Sequence, residues 1–461
     1  MTDVPSPGEE RSTPSDVIPL REATRAWFAI SLQTFGGPAG QIAVMQRMLV
    51  DEKRWIGQQR FLFALSYCTL LPGPEAQQLA TYVGWLLNGV KGALIAGVLF
   101  VLPGALTLLV LSGIYVAFGD TTAVEALFAG LGPAVIAIIA QAVHRVAKRG
   151  LDRPAFAALA VASFVALTFF ALPFPVIIAA AAAFGWLIQH VRPQAVTATP
   201  STDPDHVPPL ISDDALHADR PSLKRSVVIL TVGFSLWAAP VIAALLAFGA
   251  DSVLVDQGLF FSGAAVVTFG GAYAVLAYVA QQAVGFYGWV TPGEMVKGLA
   301  LAETTPGPLI MVVQFVAFLG AYRNPGDLDP WVAAALAAFV TTWVTFVPCF
   351  LFILLGAPYV ERLRHNRALA SALKGITAAV VGVIANLGIY FALHTLFGAT
   401  TRIDAGPLDF EVARVDSMRW AALAVTALGC LLIFRQQWSV LKTLGACAIA
   451  GTILHLVAVA A

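Results

Sequence analysis

Charged side chains are scarce in this chain of 461 residues: Lys, Arg, Asp and Glu together make up 12% of it, and the formal net charge is zero. A chain without an excess of basic residues gives no indication of nucleic-acid binding. Hydrophobic residues make up 58% of the chain, and the mean hydropathy is +0.79. These values lie far from those of soluble globular proteins. The composition therefore predicts a polytopic membrane protein embedded in the lipid bilayer.

Cysteine is scarce as well, and motifs of enzymatic chemistry are missing. The four cysteines, Cys68, Cys349, Cys430 and Cys447, stand in apolar segments without CxxC spacing. They are typical of packed thiols and not of a disulfide or metal framework. The sequence also lacks a Walker-type phosphate loop, an HExxH pair and a G-x-S-x-G elbow. We therefore expect no cofactor, no metal and no ATP-driven step, and a membrane-embedded enzyme is a remote alternative.

Apolar segments of about 20 residues predict nine membrane crossings. They lie at 92–118, 121–146, 155–171, 174–190, 226–249, 330–356, 370–398, 419–435 and 439–460. Four further apolar regions contain clusters of Gly and Pro, at 24–46, 61–88, 257–283 and 293–322. We predict a disordered tail (1–21), a first repeat (22–190), a polar cytoplasmic linker (191–224) and a linking helix with a second repeat (225–461).

Two clusters of helix-breaking residues occur twice, at one constant offset. Thr34-Phe-Gly-Gly37 returns as Thr268-Phe-Gly-Gly271, and Pro72-Gly-Pro74 returns as Pro306-Gly-Pro308. Non-helical backbone is tolerated in a membrane only where it is buried in protein or lines a watery cavity. Interruptions at corresponding places of two halves point to the binding site of a transporter. Close helix packing and simple kinks are the alternative interpretations of such Gly and Pro residues.

Cations are placed differently in the two halves. Between the broken regions of the first half lie Arg47, Lys53, Arg54 and Arg60, whereas the matching loop 285–289 has no charge. Conversely, Arg362, Arg364 and Arg367 lie where the first half has only Asp120 and Glu125. Because short basic loops stay in the cytoplasm, the fold class is an all-α membrane protein with two inverted repeats. The simplest threading makes each broken region a re-entrant hairpin. The alternative, with full crossings, has about thirteen spans.

Several motifs follow one another in a fixed order along the first half: Phe35-Gly-Gly-Pro38, Lys53-Arg-Trp55, Leu70-Leu-Pro-Gly-Pro-Glu-Ala-Gln-Gln-Leu-Ala80 and Pro103-Gly104. Together they resemble the motifs of the chromate ion transporter (CHR) family in its long form with two homologous halves. The chain departs from the family pattern at Gln41, Phe63 and Ser66, where related chains often have His, His and Asn. The resemblance covers roughly residues 22 to 460.

This resemblance implies a secondary transporter that exports chromate from the cytoplasm, driven by the membrane potential and open to proton antiport. The expected location is the inner membrane of a bacterium. The placement of the cations predicts a cytoplasmic N-terminus and an external C-terminus. A carrier of another tetrahedral oxyanion such as sulfate is the alternative. The oligomeric state is not fixed by the sequence, and a homodimer stays open.

Backbone N–H groups at helix starts, together with the positive end of the helix dipole, can hold an oxyanion without a buried Lys or Arg. Thr hydroxyls and Gln amides near the breaks can donate further hydrogen bonds. The candidate binding residues are Thr34, Phe35, Gly36, Gly37, Gln41, Pro72, Gly73, Pro74, Gln77, Gln78, Thr268, Gly270, Gly271, Thr304, Thr305 and Gly307. Glu75 and Glu303 are candidates for proton coupling, although Glu75 could instead stabilise a helix start.

Overall fold

The computed structural model of the protein describes residues 17–191, 210–211, 216–217, 222–269, 271–359, 367–406 and 408–460. Within these residues the chain forms sixteen α-helices and one antiparallel β-hairpin. Most of the predicted tail and most of the predicted linker lie outside the described residues, as do Gly270, Arg362 and Arg364.

In chain order the first eight helices are α1 (Leu20–Ser31), α2 (Gly37–Gln46), α3 (Gln58–Cys68), α4 (Glu75–Phe118), α5 (Thr122–Gly150), α6 (Pro154–Phe170), α7 (Phe174–Val191) and α8 (Leu223–Phe248). The others are α9 (Val253–Val267), α10 (Ala272–Ala280), α11 (Pro292–Thr304), α12 (Val312–Arg323), α13 (Pro330–Gly356), α14 (Arg367–Leu396), α15 (Trp420–Cys430) and α16 (Val440–Ala460). Strands β1 (Thr400–Ala405) and β2 (Leu408–Ala413) stand between α14 and α15.

Six described helices are long and apolar enough to cross a membrane: α4, α5, α8, α13, α14 and α16. The other three predicted crossings correspond to shorter apolar helices, at Pro154–Phe170, Phe174–Ile188 and Trp420–Arg435. Helix α8 has few buried residues along its length, so it lies at the periphery of the bundle. The predicted all-α polytopic fold is confirmed.

The broken regions of the first half fold as two hairpins. Helices α1 and α3 have 12 and 11 residues, which at about 1.5 Å per residue reach only the middle of a ~30 Å hydrocarbon core. Helix α4 reverses at Asn88 and Gly89, whose backbone is not helical. The outer ends of the hairpins meet, since Lys53 Nζ lies 3.9 Å from Glu22 and Asn88 Nδ2 donates to the Ile18 carbonyl at 2.6 Å. Both hairpins therefore enter and leave at one face.

The second half repeats this arrangement from the other face. Its hairpins are α9 with α10 and α11 with α12, and their outer ends meet where Arg323 Nη1 donates to the Trp289 carbonyl at 3.3 Å. Beyond Gly89, helix α4 runs to the opposite end of the bundle, where Lys297 of α11 donates to the Tyr115 hydroxyl at 3.3 Å. The two pairs of hairpins thus approach each other from opposite ends of α4. This is the predicted inverted repeat with re-entrant hairpins.

Long helices of each half pack against helices of the other half. Helix α5 of the first half packs on α15 and α16 of the second, and α14 of the second half packs on α6 and α7 of the first. Small residues permit both contacts. A Cβ added to Gly451 would lie 2.2 Å from Gly130 Cα, and one added to Gly375 would lie 3.0 Å from Gly185 Cα. The two repeats therefore form one body with a shared core.

Candidate functional site

The four breaks meet in pairs, each pair made of one break from each half. The Gly73 N–H donates to the Thr268 carbonyl at 2.7 Å, and the Gly307 N–H donates to the Thr34 carbonyl at 2.9 Å. In each bond the Gly of the Pro-Gly-Pro motif in one half donates to the Thr of the Thr-Phe-Gly-Gly motif in the other half. The two bonds are therefore related by a pseudo-two-fold axis. They satisfy backbone groups that the helix ends leave without partners. The structure thus brings the Gly-Gly and Pro-Gly-Pro motifs into one site between the hairpins.

Glycine is required at the Pro-Gly-Pro tips by both conformation and space. Gly73 and Gly307 have φ angles of 127° and 100°, in a region that side chains rarely allow. A Cβ on Gly73 would lie 2.7 Å from Gln78 Nε2 and 2.8 Å from Cys349 Sγ. On the other side, a Cβ on Gly104 of α4 would lie 2.4 Å from the Pro306 carbonyl. Long helices of the opposite half therefore brace each tip.

The polar side chains near the tips mostly bond to backbone carbonyls. Gln41 Nε2 donates to the Gly307 carbonyl at 2.5 Å, and Gln78 Nε2 donates to the Pro72 carbonyl at 2.7 Å. All four candidate threonines donate their hydroxyl hydrogens to carbonyls three or four residues earlier, namely Thr34 to Ser31, Thr268 to Ala264, Thr304 to Leu301 and Thr305 to Ala302. In this conformation their donors satisfy carbonyls that the helix breaks release.

Four helical segments begin at the tips. They are α2 after Gly36, α4 after Pro74, α10 after Gly271, and the short turn Leu309–Met311 that leads into α12. The first N–H groups of a helix have no carbonyl of the same helix as partner, and the dipole gives that end a partial positive charge. The site can therefore attract an anion without a buried cation.

Glu75 lies in this region, in the first turn of α4. A Cβ on Gly271 of the second half would lie 4.0 Å from Glu75 Oε1. Its carboxylate therefore combines a position in a helix start, where negative charge is favourable, with proximity to the Gly-Gly tip of the other half.

Glu303 has a partner that was absent from the sequence-based site. It is 1% exposed, the Tyr273 hydroxyl donates to its Oε1, and its Oε2 has no hydrogen-bond partner among the described residues. A Cβ on Gly37 would lie 4.0 Å from Oε2 and 3.9 Å from the Tyr273 hydroxyl. A signal for Tyr273 existed: it is a phenol two residues after a Gly-Gly break, where the first half has Ala39.

Other candidates are not joined to this cluster by any contact that the structure shows. Gly36 has a φ of 78°, but a Cβ there would face Val440 at 3.8 Å. Gln77 donates to Thr81 within α4 at 3.1 Å. The Phe35 N–H bonds to the Gln33 carbonyl in the turn before α2. Among the described residues there is no group of three or more His, Cys, Asp and Glu that could hold a metal ion.

Comparisons with known proteins agree with this architecture. The sequence profile of the family described as "Chromate transporter" matches residues 21–186 and again residues 255–452, one match in each half. A chromate transport protein of Pseudomonas aeruginosa is 32% identical over 415 residues, which cover 88% of this chain and 85% of that protein. A chromate transport protein of Cupriavidus metallidurans is 28% identical, covering 83% of this chain and 85% of its own length.

A shorter relative is also similar. The uncharacterized transporter YwrA of Bacillus subtilis is 33% identical over 114 residues, which are 25% of this chain and 64% of that protein. No solved structure matches the chain. The profile matches cover well over half of the sequence, and the named relatives are transport proteins. The chain therefore belongs to the chromate transporter family, a family of transporters and not of enzymes.

Proposed function

We propose that this protein is a secondary transporter that exports chromate across a bacterial inner membrane, with the N-terminus in the cytoplasm. The observation that carries the proposal is the reciprocal pair of bonds from Gly73 to Thr268 and from Gly307 to Thr34. These bonds gather four helix starts from hairpins that enter from opposite faces. A site at such a junction can be exposed to each side in turn by rocking one half against the other. Membership of the chromate transporter family supports chromate as the substrate.

The proposed ligands are backbone N–H groups at the tips. The Gln and Thr side chains near the tips already bond to carbonyls in this conformation, so they hold the breaks open for the anion. Partial charges of helix starts suit a dianion that must leave again, because a buried Arg or Lys would hold it much more strongly. The basic loop with Lys53 and Arg54 lies at the outer ends of the first-half hairpins. We propose that it gathers chromate from the cytoplasm.

The membrane potential is sufficient to drive export. Moving one charge through the potential is worth about 2.3 kcal/mol per 100 mV. Expulsion of a dianion from a negative interior thus gains about 4.6 kcal/mol, or roughly a thousandfold gradient.

Proton antiport adds to this driving force without being needed for it. If protons are coupled, Glu303 is favoured over Glu75, because full burial with one oxygen lacking a hydrogen-bond partner makes the charged form of Glu303 costly.

The experiment is chromate uptake into inverted membrane vesicles, with the potential clamped and the pH gradient varied independently. We expect uptake that rises with an interior-positive potential and is lost in the variant Gly73→Val. Excess sulfate should compete weakly if the site is selective for chromate. Uptake of labelled sulfate at the rate of chromate would instead favour a general oxyanion carrier. A rate of chromate uptake that changes neither with the potential nor with the Gly73→Val substitution would contradict the proposal.

The two carboxyl groups can be separated in the same vesicles. Glu303→Gln keeps the shape and fixes the neutral form, so we expect potential-driven uptake to persist and the response to a pH gradient to disappear. Glu75→Gln is the matched variant, and we expect it to keep that response. The assignment is wrong if Glu303→Gln responds to the pH gradient as the wild type does.

A further inference from the structure

A second space, whose lining is mostly apolar but contains several polar groups, lies at the face from which the second-half hairpins enter. It is a cavity of about 300 Å³ between α6, α7, α10, α14 and the β-hairpin. Its polar lining residues include Thr168, Gln281, Asn386, His394, Arg402, Asp409 and Glu411. Amide, hydroxyl and guanidinium donors thus converge in a space that is large enough for a small hydrated ion. None of these residues belongs to the site at the tips.

Helix α10 connects this cavity to the tips. Ala277 of α10 and Gln281, the first residue of the π-helical segment Gln281–Phe286 that continues α10, both line the cavity. They are four residues apart and lie on one side of this continuous helix. The preceding position on that face is Tyr273, whose hydroxyl bonds to Glu303 beside Gly37. Tyr273 therefore stands between the cavity and the tips, with the small side chain of Ala277 one turn away. Among Tyr273, Ala277 and Gln281, which form a stripe along this side of the helix, the phenol ring of Tyr273 is the bulky group between the cavity and the site at the tips.

The β-hairpin forms one wall of the cavity. Arg402 of β1 pairs with Asp409 of β2 at 2.5 Å, and Glu411 of β2 pairs with His394 of α14 at 3.3 Å. Each of these two carboxylates thus has a basic side chain as its partner. The first half has no such hairpin between α5 and α6, which are joined by a short turn. Among its described residues the first half therefore has no counterpart of the β-hairpin that lines this cavity.

We propose that this cavity is the extracytoplasmic vestibule through which the oxyanion leaves, and that Tyr273 is the gate between the vestibule and the tips. The inference rests on the proposed export function and orientation. In the vestibule the anion meets mainly neutral donors and already paired charges, so it is bound weakly and is released. When Tyr273 swings away from Glu303, the stripe Tyr273, Ala277 and Gln281 becomes a continuous path.

Cysteine accessibility tests the vestibule without requiring chromate. Ala277→Cys and Ala274→Cys are matched variants, because both are alanines of α10 but Ala274 is 0% exposed and does not line the cavity. An impermeant anionic thiosulfonate is added to intact cells, with the unmodified protein as the control for its four native cysteines. We expect Ala277→Cys to be labelled and Ala274→Cys to resist. Labelling of neither variant, or of both equally, would overturn the vestibule.

The gate is tested at Thr305, which lies at the tip and is 4% exposed. Thr305→Cys should be labelled from outside at least tenfold faster when Tyr273→Ala is added, whereas Tyr273→Phe, which keeps the ring, should cause a smaller increase. Equal rates in all three proteins would refute the gate.

In vesicles, labelled Ala277→Cys should lose chromate flux. Full flux in the labelled protein would show that the cavity is off the path, whereas an unlabelled wild type without flux would refute the proposed function instead.

Discussion

The glycines of the tips differ in what surrounds them. Gly36 has a left-handed backbone but open space, with Val440 at an ordinary contact distance of 3.8 Å from a Cβ placed there. Gly73 has an unfavourable φ and two neighbours, Gln78 and Cys349, both closer than 3 Å to such a Cβ. Substitution at Gly36 thus meets only backbone strain, whereas substitution at Gly73 meets strain and overlap.

We therefore expect Gly73→Ala to be more damaging than Gly36→Ala. Backbone strain costs about 1–2 kcal/mol at either position, and overpacking adds about 1–3 kcal/mol at Gly73. Thermal unfolding in detergent and chromate uptake in vesicles measure the two effects. Gly263→Ala is the control, because a Cβ at this position in α9 has no neighbour within 4 Å. Equal loss in the two tip variants would contradict the role of the space around Gly73.

The sequence was informative about residue types in the site and less so about their partners. The tip glycines and prolines could be predicted because they occur twice. Thr34 and Gln41 were predicted to donate to substrate, yet both donate to backbone carbonyls, one of them from the other half of the chain. Tyr273 was missed because the first half has Ala39 at that position. Pairings across the two halves depend on the tertiary fold, which local pattern does not contain.

At the scale of elements, the start of α11 has the most complete cap. The Thr291 hydroxyl accepts from the Glu294 N–H, Glu294 accepts from the Thr291 N–H, and Arg323 of α12 pairs with the same carboxylate. This fixes the outer ends of α11 and α12 to each other. Burial alone raises the pKa of Glu294, but hydrogen bonds from Arg323 and Thr291 outweigh it and hold the pKa below its ordinary value.

This lowered pKa predicts how stability depends on pH. A carboxyl group with a depressed folded-state pKa stabilises the fold above its unfolded-state pKa, and that contribution is lost as the pH falls through the folded-state value. We expect the melting temperature in detergent to fall on acidification below about pH 4.5, the ordinary value of the group. Glu294→Gln should flatten this fall, whereas Glu125→Gln, at an exposed helix start, should not. Identical acid profiles in all three proteins would contradict the assignment.

The elements themselves were predictable to different degrees. Long apolar runs predicted α5, α13, α14 and the part of α4 beyond Gly89 within a few residues, and the Gly and Pro breaks predicted hairpins. The β-hairpin at 400–413 was not predicted, because its strands are short and lie in a polar connection. The packing of α5 and α14 against helices of the opposite half could not be predicted from the sequence either. Their apolar faces give no indication of which helices they contact.

At the scale of the whole molecule, the hairpins enter from two opposite faces. Lys53 lies at the outer end of the first-half hairpins, and Tyr287 lies at that of the second-half hairpins. Because cations favour the cytoplasm, we expect Lys53→Cys to react only from inside and Tyr287→Cys only from outside. Impermeant thiol reagents applied to intact cells and to inverted vesicles measure this. Reaction of both from the same side would refute the inverted arrangement.

The reciprocal bonds between the tips also constrain the order of events during synthesis. The first repeat leaves the ribosome well before Thr268, the residue whose carbonyl completes the Gly73 tip. Until then a backbone N–H inside the membrane has no partner from the second half, at a cost that favours a loose or unwound tip. The nascent first repeat is therefore expected to wait in the membrane as an unfinished intermediate, exposed to quality-control proteases. The tips of the first repeat can therefore be completed only after the segment from Thr268 to Gly307 has been synthesised.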